Sequence, residues 1–151
     1  MQKPLKHFQT FARLHDGSHD DAAALWALSD GLPGGLGGER PVWPALIQAE
    51  DCHVLVATEC QLIIGAAVIW HHKDSAAARL AWLGVSSAAQ GFGVGQLLVE
   101  TAIARVGIEG AAVITAHLPA EATSLHGLLV DAGFIARDNG QLRLPIGRSM
   151  R

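Results

Sequence analysis

Tyrosine is missing altogether from these 151 residues, and cysteine occurs only twice, as Cys52 and Cys60. The first absence removes the phenol from the acids and bases the chain can use. The second leaves too few thiols for a disulfide scaffold. The pair also lacks metal-ligand spacing, so no metal site is expected and reduced thiols of a cytoplasmic protein are the simplest account. Positive charge is scarce as well: eleven Lys and Arg stand against fourteen Asp and Glu, without any basic cluster. That excludes an electrostatic surface for nucleic acid or anionic membrane. Half of the residues are apolar and mean hydropathy is +0.27, yet no apolar run approaches the ~18 residues of a membrane span. The segment Met1 to His7 has no apolar core of a secretory signal.

Glycine is abundant, and its placement is informative. Gln90-Gly91-Phe92-Gly93-Val94-Gly95 follows an apolar run, Leu80 to Val85, and opens a helical pattern from Gly93 to about Val106. A strand, a glycine-rich turn and a helix in that order aim several backbone N–H groups at one point, on the positive end of a helix dipole. Phosphate oxygens bind there without any basic side chain. Glycine permits the positive φ of such a turn and leaves no Cβ in the path of a diphosphate.

The remaining elements follow from local pattern. Phe8 to Leu14 alternates as a first strand, and Asp20-Asp21 opens a helix through Ser29. Gly31 to Gly38, with five glycines and a proline, is a connector. Pro41 to about Ala49 reads as a second short helix. Val54–Thr58 and Leu62–Trp70 flank a Glu59-Cys60-Gln61 turn, and a second turn in Lys73–Ala76 leads to a return strand over Arg79–Val85. After the helix from Gly93, with Leu97, Leu98, Ala102 and Val106 as its buried face, Ala111–Leu118 is a buried strand, expected to lie parallel to Arg79–Val85. Glu121–Ala132 forms a helix stopped by Gly133, and Phe134–Arg137 and Leu142–Leu144 close the chain as a hairpin around Asn139-Gly140. The expectation is a mixed α+β (α/β) domain spanning 1–151, with a central mixed sheet of six or seven strands and about four helices.

This order of elements, with Gln90, Gly93 and Gly95 in the glycine turn and Gly133-Phe134 after the late helix, resembles the GNAT superfamily of acyl-CoA-dependent N-acyltransferases. The signature is Arg or Gln, two residues, Gly, one residue, then Gly or Ala. The resemblance implies acetyl-CoA as co-substrate, its pyrophosphate on the amides of Gln90, Gly91, Phe92, Gly93, Val94 and Gly95. It also implies a pantetheine arm lying like an added strand where Arg79–Val85 and Ala111–Leu118 part, with Leu83, Gly84 and Val85 as backbone partners. The implied activity is transfer of an acetyl group to a primary amine of a small molecule or a protein; the alternative is a non-catalytic acyl-CoA-binding or regulatory protein of the same fold. Nucleic acid and membrane are not expected as partners, and the features leave room for a homodimer.

The family's usual catalytic groups are absent. Many members carry a carboxylate six residues before the position of Val85, where this chain has Arg79, and a tyrosine four residues before the Gly of Gly-Phe, where it has Leu129. The usual Asn early in that helix falls near Ala122. Histidine is the side chain suited to replace a base near neutral pH. His117, at the end of the fifth strand, ranks first, with a hydrogen bond to a neighbouring carbonyl as its other reading; His72 and His71, across the hairpin from Arg79, follow, with an exposed hairpin end as theirs. Ser124 and His126 are the hydroxyl and imidazole nearest the missing tyrosine, though Ser124 serves equally as a helix-start residue. Glu59 belongs to a solvated turn. Among the tryptophans, Trp43, beside the glycine-rich connector, is the one expected to touch a ligand.

Overall fold

Two-residue alternation along the central strands sends apolar side chains to both faces of one sheet, so both faces must be covered. The computed structural model, which describes residues 12–32, 41–118 and 123–146, shows how. Seven strands run in the order β1-β2-β3-β4-β5-β7-β6. They are β1 (Arg13–Asp16), β2 (Cys52–Glu59), β3 (Leu62–His71), β4 (Ala77–Val85), β5 (Val113–His117), β6 (Ile135–Ala136) and β7 (Gln141–Pro145). Helices α1 (Ala22–Asp30) and α2 (Trp43–Gln48) cover one face, α3 (Val94–Ile108) and α4 (Thr123–Asp131) the other. Leu55, Ala57, Ala67, Ile69 and Leu80 point to the α3 side, and Val54, Val56, Ala66, Val68 and Trp82 to the α1/α2 side.

Most expected elements are present with shifted ends. The first strand is centred later than Phe8–Leu14, because Asp16 pairs with Leu55 and the Gly17 N–H donates to the Val54 carbonyl at 2.8 Å; residues 8–11 lie outside the described residues, as do most of the glycine-rich connector and the start of the late helix. The fifth strand loses Ala111, whose N–H is taken by the Val106 carbonyl at 2.9 Å as α3 ends. Phe134 leaves the sixth strand for the same reason, its N–H donating to the Leu129 carbonyl at 3.0 Å. Both helix ends place glycine in the left-handed region, Gly110 at φ 105° and Gly133 at φ 109°, where a side chain would be strained. The hairpin between β2 and β3 turns through Cys60 and Gln61, both at positive φ, which matches the right-handed twist of the strands.

One irregularity governs the centre of the sheet. Val68 on β3 faces Trp82, but Ile69 faces Leu80, so Ala81 is an extra residue in β4. The bulge turns Ala81 and Trp82 together to the α1/α2 side and returns Leu83 to the α3 side. The parallel pairing of β4 with β5 also stops here, at Leu80 opposite Ala116. Beyond that point the two strands part.

The far end of α3 is clamped to the sheet by charge. Glu109 stands at the C-terminal cap, where a negative charge opposes the helix dipole. It accepts from His71 Nδ1 and His53 Nε2, each at 2.8 Å. His71 Nε2 reaches the Ser75 carbonyl at 2.9 Å. Both partners of the buried His71 ring are acceptors, so both ring nitrogens must carry protons and the ring is an imidazolium. Burial works to lower His71, but the Glu109 carboxylate and the Ser75 carbonyl outweigh it and hold the ring above its ordinary value of 6.5. Burial works to raise Glu109, yet the two imidazoles hold it below its ordinary 4.5. Arg105, one turn earlier, pairs with Asp16 at 3.1 Å and ties α3 to β1.

The signs fix a pH window. The raised His71 contributes stability that is complete below 6.5 and is lost as pH rises through its folded value. The lowered Glu109 contributes stability that is complete above 4.5 and is lost as pH falls through its folded value. Their shared contribution therefore peaks between those two values. Urea denaturation of Glu109→Gln is expected to show a loss of about 1–3 kcal/mol near pH 5.5, shrinking in alkali. A deficit that does not change with pH would contradict the ion pair. In the core beneath α4, Leu129 is fully buried, and Leu129→Ala is expected to cost about 2–5 kcal/mol through the cavity it leaves; a loss under 1 kcal/mol in the same assay would place Leu129 outside the core.

Candidate active site

The parting of β4 and β5 exposes a length of strand edge. Ser86 N–H donates to the Ile64 carbonyl at 2.8 Å. Antiparallel alternation from that bond turns the backbone groups of Gly84 and Trp82 toward β3, and those of Leu83 and Val85 toward the edge that β5 has left. The Gln90 side-chain amide donates to the Val85 carbonyl at 2.9 Å, so this residue of the glycine turn closes part of the edge. Leu83 keeps its N–H and C=O directed into the gap. Gly84, by contrast, is required by packing: a Cβ there would collide with the Trp82 indole and with Leu32.

On the α3 side the gap opens into a cleft of about 470 Å³, lined by Val85, Ala89, Gln90, Gly91, Gly93, Gly95, Gln96, Ser124, Leu125 and Leu128. Gly91 (φ 89°) and Gly93 (φ 88°) are both left-handed, and an added Cβ at either would meet open space. Gly93 caps α3, leaving the N–H groups of its first turn without intrahelical acceptors. Gly95 has a different reason to be glycine, since a Cβ would press on Leu128 of α4 at 2.9 Å. Val94 is buried in the core and only its backbone faces the turn, whereas the Phe92 side chain is 52% exposed. The donor set therefore suits a diphosphate: a concave backbone with room where side chains would stand and, among the described residues, no carboxylate lining the cleft.

On the α1/α2 side lies a second groove of about 490 Å³, lined by Pro41, Val42, Ala45, Leu46, Val68, Trp70, Arg79, Ala81, Trp82 and His117. The bulge supplies its floor, because Ala81 and Trp82 both face this way. Trp43 is not part of the lining. It is fully buried, edge-on to Trp82 with ring centroids 5.3 Å apart, and its Nε1 donates to Ser29 Oγ at 3.1 Å. Trp70 and Trp82 line the groove in its place. The alternation of Arg79–Val85 hid this, since without the bulge Trp82 would share the face of Leu80.

The four catalytic candidates separate. His117 lies in the groove with Arg79, and Ser124 in the cleft beside the glycine turn. His71 points to the opposite face, buried between Glu109 and Ser75, with no free nitrogen to accept a proton. His72 is exposed in the hairpin turn, its Nδ1 accepting from the Asp74 N–H at 3.3 Å, and it lines neither cavity. Leu129, at the position of the family tyrosine, is core. His126 is exposed and outside the lining. Cys52 and Cys60 are free thiols; burial pushes Cys52 up to about 12 although the Arg79 charge pulls the other way, so it is no nucleophile at neutral pH.

The geometry agrees with the comparisons. In sequence, no curated protein matches this chain. Among solved structures, the ribosomal-protein-S18-alanine N-acetyltransferase from Escherichia coli superposes with a TM-score of 0.75 at 16% identity, over 93% of this chain and 97% of that one. YncA, a putative acetyltransferase from Salmonella typhimurium solved with acetyl-CoA, gives 0.75 at 15% identity over 94% and 98%. The PaiA N-acetyltransferase from Thermoplasma acidophilum, solved with coenzyme A, gives 0.74 at 12% identity over 90% and 99%. These likenesses establish the fold. The acetyltransferase (GNAT) domain model matches residues 50–136, more than half of the sequence, from the second strand of the sheet to the sixth; the chain belongs to the GNAT acetyltransferase family.

Proposed function

We propose that the chain is an N-acetyltransferase that binds acetyl-CoA at the glycine turn and moves its acetyl group to a primary amine held in the groove beside α2. The observation that carries the reading is the pair of cavities on opposite faces of a sheet in which β4 and β5 stop pairing at Leu80 and Ala116. The cleft offers backbone amides for a diphosphate, and the free edge of β4 offers the Leu83 carbonyl and the Val85 N–H to the amides of a pantetheine arm. Crystallised relatives holding acetyl-CoA and coenzyme A support the same assignment. Bound there, the thioester supplies an activated acyl group, and addition of the amine places negative charge on its carbonyl oxygen.

The chain's residues then have three tasks. The Leu83 N–H, fixed by the bulge, donates to that oxygen; its geometry is set before reaction and costs no reorganisation. His117, on the rim of the amine groove, takes the proton that the nitrogen must lose. No side chain is needed to protonate the departing thiolate, because a thiol titrates near ~8.5 and water can supply the proton. Ser124 stands on the cofactor side and fits a contact to the bound co-substrate better than an acid's role.

A second reading, an acyl-CoA-binding protein without turnover, is favoured by Arg79 and Leu129 at the positions of the family's carboxylate and tyrosine. An acetyl-transfer assay over a broad amine panel separates the two.

Calorimetry with Gly93→Val tests the cofactor seat. A branched side chain at φ 88° both strains the turn and fills the open space, and acetyl-CoA affinity is expected to fall at least about tenfold, ~1.4 kcal/mol. Unchanged affinity in the folded variant would remove the glycine turn from the site. For the base, His117→Gln is expected to lower kcat/KM more than about tenfold and to abolish the fall in rate on acidification, since only neutral imidazole accepts a proton. A variant that keeps the wild-type pH profile would show that water collects the proton instead.

A further inference from the structure

The groove beside α2 has an uneven chemistry. Val42, Leu46, Trp70 and Trp82 make its walls apolar, and Arg79 is the cation set among them. Arg79 lies directly across from Trp70 in the β3–β4 register. Among the described residues no carboxylate comes within 4.0 Å of its guanidinium, and no carboxylate lines the groove. The other ionisable lining residue is His117, which the amine chemistry occupies. A substrate that is only a cation, such as a simple alkylamine or a polyamine, meets a like charge on entering. One that also bears a carboxylate meets a forked partner at one end and apolar side chains beside it.

We infer that Arg79 is a specificity-determining residue and that the acceptor is a small amino acid, its carboxylate on Arg79 and its amine toward His117. The inference rests on the acetyl-transfer reading of this groove and deepens it by naming the substrate class. Arg79 also accounts for the loss of the family carboxylate from this strand position: a negative group there would repel the substrate that a guanidinium attracts. The single guanidinium matches a monoanionic carboxylate in charge and in planar geometry better than it matches a dianionic phosphate. Arg79 and Leu83 are four positions apart, about 13 Å of strand at ~3.3 Å per residue before the bulge shortens it. The carboxylate and the reacting amine accordingly sit at opposite ends of an apolar body several carbons long, one that lies along Trp70 and Trp82.

The test uses ω-amino acids of increasing chain length, their carboxamides and their aminophosphonate analogues, with acetyl-CoA and the full chain. The wild type is expected to prefer the acid over the carboxamide by about tenfold or more in kcat/KM at its best length, a difference of about 1.4 kcal/mol. Arg79→Gln is expected to erase that preference by raising KM about tenfold more for the acid than for the carboxamide; Arg79→Lys, which keeps charge without the fork, is expected to restore part of it. Calorimetric titration of the same acids into the CoA-loaded protein gives a readout independent of turnover. Arg79-dependent binding of the acids without acetyl transfer would overturn the catalytic reading and leave this inference standing. Transfer that treats acid and carboxamide alike at every length, or an Arg79→Gln variant that loses both equally, would overturn the inference and leave the catalytic reading standing. Aminophosphonates used better than the acids would overturn the carboxylate assignment, and absence of both transfer and binding would overturn it as well.

Discussion

Everything at the centre of this protein depends on one extra residue in a strand. Ala81 lengthens β4 relative to β3, and the added twist of a bulge carries the end of β4 away from β5 just where their pairing stops at Leu80 and Ala116. Without it, β4 and β5 would continue as ordinary parallel neighbours and the sheet would have no gap. Trp82 would turn into the core under α3 and the groove beside α2 would lose its floor. Leu83 would spend its backbone groups on β5. The bulge thus makes the opening, aims the aromatic lining and frees the amide, three functions that a regular strand cannot combine.

The rest of the fold keeps that opening rigid. α3 meets the cleft with its N-terminus, where glycine gives the backbone its left-handed turn, and is fastened at its other end by Glu109, His53 and His71. A helix anchored only by apolar packing could slide along the sheet. One anchored by directional, charge-assisted bonds at its far end holds the register of its first turn. Gln90 performs the corresponding task in the loop, tying the glycine turn to the end of β4. Trp43, buried and braced against Ser29, supports Trp82 from below, so the aromatic floor of the groove is as firmly held as the glycine turn.

The glycine turn, the hairpins and the helix stops were all legible in the sequence because each rests on a local rule. Positive φ calls for glycine, β-strands alternate, and helices bury every third or fourth residue. The parted strands were legible only through the family resemblance, since nothing in Arg79 to Val85 marks Ala81 as the residue that breaks alternation; a bulge is set by its partner strand as much as by its own. The histidines show the same limit. His71 and His72 are adjacent in sequence, yet one is an imidazolium sealed against Glu109, 38 positions away, and the other an exposed turn residue. Only tertiary pairing distinguishes them. Trp43 was misplaced for a related reason, as its hydrogen-bond partner Ser29 lies on another helix. Arg79 was noticed as a missing carboxylate, and its place in one groove with Leu46, Trp70 and Trp82 became visible only in the folded chain.

A gap in a sheet is also two new edges, and edges invite company. Backbone donors and acceptors standing free on β4 are a template for any extended chain, including a strand of a second copy. The features around the gap also limit this hazard. Gln90 occupies one of the edge carbonyls, Trp82 crosses the neighbouring glycine, and the exposed length is only a few residues, too short to hold another strand in register. The chain can keep an unpaired edge because little of it is left uncovered, and what remains is shorter than a polypeptide strand needs.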